Sequence, residues 1–297
     1  QRQMCIRDRV EYFDNGGDCF AGLYWKAPSA GSQNVLARFG DAGKVAAECD
    51  VTVAVLGINK SIEREGQDRF SLELPVDQQE FIKELYKVNP NTVVVLVAGS
   101  SMAVNWMDEN VPAILNAWYP GEQGGNAVAE VLFGDYNPGG RLPLTYYNSL
   151  DEIPAFDNYF VKGRTYQYFE GQPLYEFGYG LSYTKFRYKS KGVNVEQDTV
   201  KVSFEVSNTG KYDGDEVTQV YVKYPETGTY MPLKQLHGFK RVHIKKGKTS
   251  KVTIGVPKKD LRYWDEQERK FVTPKGEYTF MVGASSDDIK FRETVGL

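Results

Sequence analysis

Two patterns of apolar and polar residues divide the chain. Between residues 35 and 142, short uninterrupted apolar runs alternate with segments whose apolar residues recur at helical spacing. The runs at residues 51–56, 92–98 and 113–118 have the length and branched side chains of buried strands. Such strands are typical of a parallel sheet that helices cover on both faces. This half of the chain is therefore predicted to be an α/β domain.

The segments between these runs predict helices. One helix is expected to begin near Pro75, a favourable first-turn residue, and to end at Asn89. A short helix is expected between the second and third strands, and a further helix over residues 122–133, closed by Gly134. The buried face of the first helix is expected to carry Phe81, Ile82, Leu85 and Val88.

The second half has a different pattern. About forty residues rich in Tyr, Gly and Pro follow Pro143, and their aromatic residues are expected to fix a linker by burial and hydrogen bonding. From Phe186 onward, short alternating runs are separated by Gly, Asp and Pro turns, the pattern of an all-β sandwich. Charge changes at the same boundary, because residues 184–297 hold 22 Lys and Arg against 15 Asp and Glu, whereas the whole chain is net -3.

The first residues do not fit either half. Residues 1–9 lack strand or helix periodicity and are expected to be an artefact or junction, with a frayed natural terminus as the alternative. Residues 10–28 contain two strand-like runs around an Asn-Gly-Gly-Asp turn. The predicted organisation is then an α/β domain at 29–150, a linker at 151–184 and a β sandwich at 185–297.

Composition excludes several classes of function. A net charge of -3 and a pI near 5.7 argue against nucleic acid as a partner. No apolar run approaches the roughly 18 residues of a membrane span. Three cysteines and two histidines, His237 and His243, make a disulfide framework, a metal site or a Ser-His hydrolase a poor expectation, and no cofactor is expected. Both histidines are interpreted as packing or surface residues.

The most informative segment is the loop at residues 57–69, after the first strand. In a parallel open sheet, ligands bind beyond the carboxyl ends of the strands. The loop carries three carboxylates and two guanidinium groups, so a neighbouring charge could tune one carboxyl group to donate a proton. The alternative is a solvated loop joined by salt bridges. These charged residues are Glu63, Arg64, Glu65, Asp68 and Arg69.

Other segments have plainer interpretations. The glycines of residues 119–125 could form a phosphate cradle, but helix packing explains them equally well, and no Walker lysine follows. Trp106, Trp118 and Tyr119 could stack on sugar rings. Trp118 is instead expected to end a buried strand in the core.

Five segments, in order along the chain, resemble the C-terminal half of glycoside hydrolase family 3, and most of all its β-xylosidase branch. They read GINKSIEREGQDR, WYPGEQGGNAVAEVLFGDYNPGGRLPLTYY, PLYEFGYGLSYTKF, VSNTGKYDGDEVTQVYV and PLKQLHGFKRV. The resemblance covers roughly residues 35–297. Residues 10–28 also look like the last strands of a PA14-type module that some members of the family insert.

The resemblance implies a retaining glycosidase whose site lies between two domains. A barrel supplies an Asp nucleophile, the α/β domain supplies the acid/base, and a fibronectin type III-like domain follows. By spacing from Gly57, Glu63 takes the acid/base position, with Glu65 as the alternate. Nothing in the chain resembles the barrel, so the chain is expected to be a fragment that holds half of the active site.

The implied substrate is a β-linked xylo- or gluco-oligosaccharide, and the implied partner is the absent N-terminal barrel. A β-glucosidase or α-L-arabinofuranosidase of the same family remains an alternative. A second alternative, for this chain alone, is a noncatalytic module that binds carbohydrate or braces a partner. Since the substrate is polysaccharide-derived, the parent protein is expected to be periplasmic or extracellular, although no signal is visible in the sequence.

Overall fold

The computed structural model describes residues 36–297, in which an α/β domain is followed by an antiparallel β sandwich. Strands β1 (Thr52–Gly57), β2 (Thr92–Val97) and β3 (Ile114–Asn116) form a parallel sheet in that order, with Val55 opposite Val95 and Leu96 opposite Asn116. Both predicted fold classes are confirmed. The elements of the first domain are α1 (Ala42–Ala47), β1 (Thr52–Gly57), α2 (Val76–Val88), β2 (Thr92–Val97), α3 (Asn105–Asn110), β3 (Ile114–Asn116) and α4 (Gly124–Phe133).

One face of the parallel sheet packs into the core of this domain. Ile82 and Leu85 of α2 are almost fully buried against Leu56 and Leu96 of the sheet. Val88, which was predicted on the same face, is 40% exposed. The prediction was wrong there because Val88 is the last helical residue and the chain leaves the helix in extended conformation immediately after it.

Two further details differ from the sequence prediction. The third strand covers only three residues, and Trp118 has a φ of 56°, so the chain turns away from the sheet before Trp118 could end a buried strand. Among residues 36–297, little packs on the other face of β1: Val53 and Val55 are 45% and 65% exposed, and Val51, just before the strand, is 57% exposed. Alternation of exposed and buried residues in β1 thus replaces the uniform burial that the apolar run predicted.

The linker contains a short helix, α5 (Thr165–Tyr168), and is held by aromatic residues as predicted. Tyr175 stacks on Tyr179 and donates a hydrogen bond to Asp108 of α3 at 2.6 Å. Phe177 stacks on Tyr166 at 4.3 Å between ring centres. The hydrogen bond to Asp108 joins the linker to the α/β domain, and the ring contacts fix the linker residues before the β sandwich begins.

The β sandwich pairs a four-stranded sheet with a three-stranded sheet. Its strands are β4 (Phe186–Val195), β5 (Thr199–Asn208), β6 (Gly214–Lys223), β7 (Gln235–Ile244), β8 (Thr249–Pro257), β9 (Tyr263–Asp265), β10 (Lys270–Val272), β11 (Glu277–Gly283) and β12 (Ile289–Gly296). The strand orders are β12-β11-β6-β7 and β4-β5-β8, and the core is built from alternating inward residues such as Phe204, Val220 and Phe280.

Five strands correspond to the alternating runs expected after Phe186. They are β5, β6, β7, β8 and β11, which contain the runs VKVSFEVSN, EVTQVYVKY, LHGFKRVHI, KVTIGV and EYTFMVGA. The alternating pattern did not single out β4, β12 or the β9–β10 hairpin.

A buried ion pair joins the two domains. Arg141, between α4 and the linker, lies 3.1 Å from Glu216 of β6, and their side chains are 8% and 4% exposed. Tyr188 donates a second hydrogen bond to Glu216 at 2.8 Å. Burial raises the pKa of the Glu216 carboxyl group, although Arg141 and Tyr188 oppose that shift. The interface therefore depends on both partners being present.

Two predictions fall outside the described residues: the artefact or junction at 1–9 and the PA14-like remnant at 10–28. Within residues 36–297, no helix combines the length and apolar character that crossing a bilayer requires.

Candidate active site

The loop between β1 and α2 begins beyond the carboxyl end of β1, as predicted, and is fixed at its first residue. The side chain of Gln78 accepts a hydrogen bond from the Gly57 amide and donates one to the Gly57 carbonyl, both at 2.8 Å. Gly57 has a φ of 155°, and a Cβ there would lie 1.8 Å from the Val97 carbonyl oxygen. Only glycine allows β1 and β2 to approach this closely with that backbone conformation.

The next residues form a tight turn that orients Glu63. The Asn59 carbonyl accepts hydrogen bonds from the amides of Ile62 and Glu63, and the Asn59 side chain accepts one from Ser61. Ile62 packs against the domain core. Because Ile62 is partly buried against the core and the Glu63 amide is bonded, the Glu63 side chain is directed toward the loop that follows β2.

Glu63 has donors around both carboxylate oxygens. Its Oε2 lies 3.1 Å from Arg69 Nε and accepts a hydrogen bond from the Ser100 hydroxyl at 2.5 Å. The Tyr119 hydroxyl donates to Oε1 at 3.3 Å. The Glu63 side chain is 17% exposed. Burial and then the Glu63 charge raise the pKa of the Tyr119 hydroxyl.

Arg69 connects the first two loops of this rim. Its guanidinium group donates to the Ser100 hydroxyl at 2.8 Å and to the Ser101 carbonyl at 2.7 Å, and it contacts the Met102 sulfur. The side chain is 10% exposed. Arg69 therefore fixes the end of the loop, while Gln78 fixes its start at Gly57.

Glu65 has a different environment two residues away. The amide and carbonyl groups of Arg64 and Gln67 bond to each other, so residues 64–67 form a tight turn with Glu65 and Gly66 at its tip. Gly66 has a φ of 75°, which suits the third position of a type II turn. Glu65 is exposed, and no hydrogen bond or ion pair reaches it from residues 36–297.

The structure thus brings together the loops after all three parallel strands. Gly99 lies so close that a Cβ on it would meet Tyr119 at 2.5 Å and Glu63 at 3.0 Å. Glu63 therefore lies on the same rim as Gly99 and Tyr119, and Glu65 follows it on the same loop beyond β1. Sequence reasoning missed the part played by Ser100, although the position of its loop after β2 was a usable signal.

The salt-bridge interpretation applies to only part of the loop. Glu63 and Arg69 are paired, whereas Arg64, Glu65 and Asp68 are exposed and make no ion pair among the described residues. The loop therefore has a base held by the Glu63–Arg69 pair and a solvent-facing tip at Glu65 and Gly66. Phe70, directly after the loop, is also fully exposed.

Other candidates have structural roles. A Cβ on Gly124 would lie 2.3 Å from Pro120, so close packing accounts for this glycine of the supposed phosphate cradle. His237 is largely buried, which lowers its pKa, and it bonds the Tyr224 hydroxyl at 2.9 Å. His243 lies 2.7 Å from Asp215. Trp106 packs against the core. Residues 36–297 contain no cluster of three side chains suited to a metal ion.

Comparisons with known proteins place the chain in a family. The model of the glycosyl hydrolase family 3 C-terminal domain matches residues 6–183, and the fibronectin type III-like domain matches residues 216–286. The two domains of this chain, the α/β domain and the β sandwich, thus form the C-terminal part of a glycoside hydrolase. The chain belongs to glycosyl hydrolase family 3.

Relatives with two activities match the chain. It is 42% identical over 225 residues to a xylan 1,4-β-xylosidase of Xylanibacter ruminicola, covering 75% of this chain and 26% of that protein. It is 36% identical over 303 residues to a β-glucosidase of Kluyveromyces marxianus, covering 95% and 35%. A crystal structure of the Kluyveromyces β-glucosidase matches with a TM-score of 0.80 and 37% identity, covering 86% of this chain and 34% of that one. The chain therefore spans about a quarter to a third of the length of these relatives.

Proposed function

We propose that this chain supplies the general acid/base to a retaining β-glycosidase whose nucleophile belongs to a barrel domain outside this chain. The observation that carries this proposal is that both candidates for the acid/base, Glu63 and Glu65, lie on the loop beyond the carboxyl end of β1. A retaining mechanism needs two carboxyl groups about 5 to 5.5 Å apart, one as nucleophile and one as acid/base. Glu65 and Tyr119 are exposed at this rim, so a second domain could bring its nucleophile to it.

Between the two glutamates, the geometry favours Glu65 as the proton donor. An acid/base must reach the glycosidic oxygen and exchange a proton with it. Glu65 is exposed at the tip of a turn, and its oxygens accept no hydrogen bond from residues 36–297. This proposal reverses the order suggested by spacing from Gly57, which put Glu63 first.

Glu63 is better suited to positioning the loop. Arg69 and Ser100 both donate to its Oε2, and Tyr119 donates to its Oε1. A carboxylate surrounded by donors acts as an acceptor, and its oxygens are occupied before a substrate arrives. Glu63 would then hold the base of the loop so that the turn at residues 64–67 presents Glu65 to the substrate.

For the substrate, we propose a β-linked xylo-oligosaccharide, supported by the 42% identity to a xylan 1,4-β-xylosidase. The second candidate is a β-linked gluco-oligosaccharide, favoured by the Kluyveromyces β-glucosidase that matches 95% of the chain. We also propose that the enzyme works in the periplasm or outside the cell, where polysaccharide fragments occur, and fractionation of the producing cells tests this.

The test of the proposal is to express the reading frame extended upstream beside the chain alone. The extended protein should cleave aryl β-xylosides with retention of configuration, and more efficiently than aryl β-glucosides or α-L-arabinofuranosides. The chain alone should show negligible turnover, because the nucleophile is missing. An upstream region without a barrel, or ordinary turnover by the chain alone, would contradict the proposal.

A further inference from the structure

A second candidate site lies far along the chain from the glutamate loop, where the linker meets the β sandwich. A cavity of about 600 Å³ opens there, and no residue of loop 57–69 lines it. Ligand pockets commonly enclose about 300–1,000 Å³. Its walls include Phe169, Gln172, Glu176, Lys234, Met281 and Ser286.

Ser286 is the most informative residue of this cavity. It is 0% exposed, and its hydroxyl has no hydrogen-bond partner, although its amide donates to the Phe177 carbonyl at 2.8 Å. Leaving a buried hydroxyl unsatisfied costs about 1–3 kcal/mol. An orphan hydroxyl in a cavity wall indicates a place where a ligand supplies the missing partner.

Neighbouring side chains also have hydrogen-bonding capacity left over. Lys234 uses two of its three donors, on the Ser286 carbonyl at 2.6 Å and on the Asp287 carboxylate. Glu176 uses one oxygen to accept from the Ser285 hydroxyl at 2.7 Å, and its other oxygen accepts nothing from residues 36–297. The cavity therefore offers an ammonium N–H and a carboxylate oxygen, and the buried, unpartnered Ser286 hydroxyl lies in the wall beside them.

Part of the remaining wall is apolar. Phe169 packs edge-on against Tyr147 at 5.1 Å, and Met281 is 7% exposed. Glu170, Glu176 and Asp287 outnumber Lys234 among the charged lining residues. The excess of negative charge disfavours an anion, whereas a ring with an apolar face and several hydroxyl groups matches both kinds of wall.

We propose that this cavity binds one neutral saccharide unit, at a site separate from the acid/base loop. Hydroxyl groups of the sugar would pair with Lys234 and Glu176, and with Ser286 once its hydroxyl turns toward the cavity. The C–H face of the ring would lie against Phe169. The proposal does not depend on the catalytic assignment, because it uses none of the residues of the rim.

The test is a titration of the purified 297-residue chain with xylobiose and with cellobiose, followed by saturation-transfer NMR. We expect saturable binding with a dissociation constant on the order of 1 mM. Ser286→Ala should weaken it about 5- to 10-fold, since one hydrogen bond is lost. The same variant should keep or raise the melting temperature, because the hydroxyl bonds nothing in the free protein.

Two further variants make the result decisive. Phe169→Leu should also weaken binding, whereas Ser203→Ala, on the other sheet of the sandwich, should not. The proposal is overturned if neither disaccharide binds saturably, or if Ser286→Ala and Phe169→Leu both bind like the parent chain. It is also overturned if Glu65→Gln abolishes binding while Ser286→Ala leaves it intact, since the sugar would then occupy the rim.

Discussion

Arg69 Nε lies 3.1 Å from Glu63 Oε2, and the same arginine donates to the loop after β2. This pair makes the two loops one unit. It also gives the two glutamates different environments: Glu63 is bonded between the two loops, whereas Glu65 lies at the exposed tip of the first loop.

Removing the pair should lower stability without touching the exposed glutamate. Arg69→Met leaves Glu63 with one donor fewer on Oε2 in a mostly buried position, so we expect a loss of about 1–3 kcal/mol in the free energy of unfolding. Glu65→Gln should stay within about 0.5 kcal/mol of the parent chain, as an exposed substitution. Urea denaturation of both variants measures the difference, and equal losses would contradict the division of roles.

Glycine substitutions in the same loop test its backbone geometry. Gly57→Ala would place a Cβ 1.8 Å from the Val97 carbonyl oxygen, so strands β1 and β2 would have to separate. We expect a loss of about 3 kcal/mol or more, or insoluble protein. Gly66→Ala meets open space and bears only the strain of a positive φ, which costs about 1 kcal/mol. Similar melting temperatures for the two variants would contradict the structure of the loop.

The interdomain ion pair predicts a pH-dependent loss of stability. Arg141→Met leaves the Glu216 carboxylate buried without its partner, which should cost about 3–5 kcal/mol near neutral pH. Burial already raises the pKa of Glu216 in the folded chain. A raised folded pKa gives stability at low pH that is lost as pH rises through the folded value. The cost of Arg141→Met should therefore be smaller at pH 5 than at pH 7.

Chemical denaturation of Arg141→Met at pH 5 and pH 7 measures this difference in the free energy of unfolding. Arg187→Met, at an exposed position of β4, is the control. The control should show little change at either pH. A loss for Arg141→Met that is the same at both pH values, or larger at pH 5, would contradict the assignment of Glu216 as its buried partner.

The exposed valines at β1 predict self-association. Val51, just before the strand, and Val53 and Val55 within it present apolar side chains on one face, and contiguous apolar patches promote association. The chain should sediment as concentration-dependent oligomers. Val55→Lys should shift it toward monomer, whereas Thr294→Lys on the outer side of β12 should not. A parent chain that stays monomeric at high concentration would show that this face drives no association.

Much of the fold could be predicted because its determinants are local. Apolar runs of strand length located β1 and β2, and Pro75 and Gly134 marked helix ends that the structure confirms. The early exit of the chain at Trp118 could not be predicted, since it depends on a positive φ that no sequence pattern specified. The short β9–β10 hairpin likewise has too few residues to show an alternation.

The site was predictable at the level of the loop but not of the residue. The rule for parallel sheets located the rim, and the concentration of charge selected the loop at residues 57–69. The division between Glu63 and Glu65 depends on Ser100 and Tyr119, which approach from loops 37 and 56 residues further along the chain. Spacing within the loop contains no information about those contacts.

The most direct test of the central claim is azide rescue in the extended enzyme. Glu65→Gln should still form the covalent intermediate from an activated aryl glycoside, because a good leaving group needs little protonation, but the intermediate should then hydrolyse slowly. Azide needs no general base, so it should restore turnover and yield a glycosyl azide of retained configuration. Glu63→Gln should be impaired without rescue. Rescue of Glu63→Gln and not of Glu65→Gln would contradict the account and exchange the two roles.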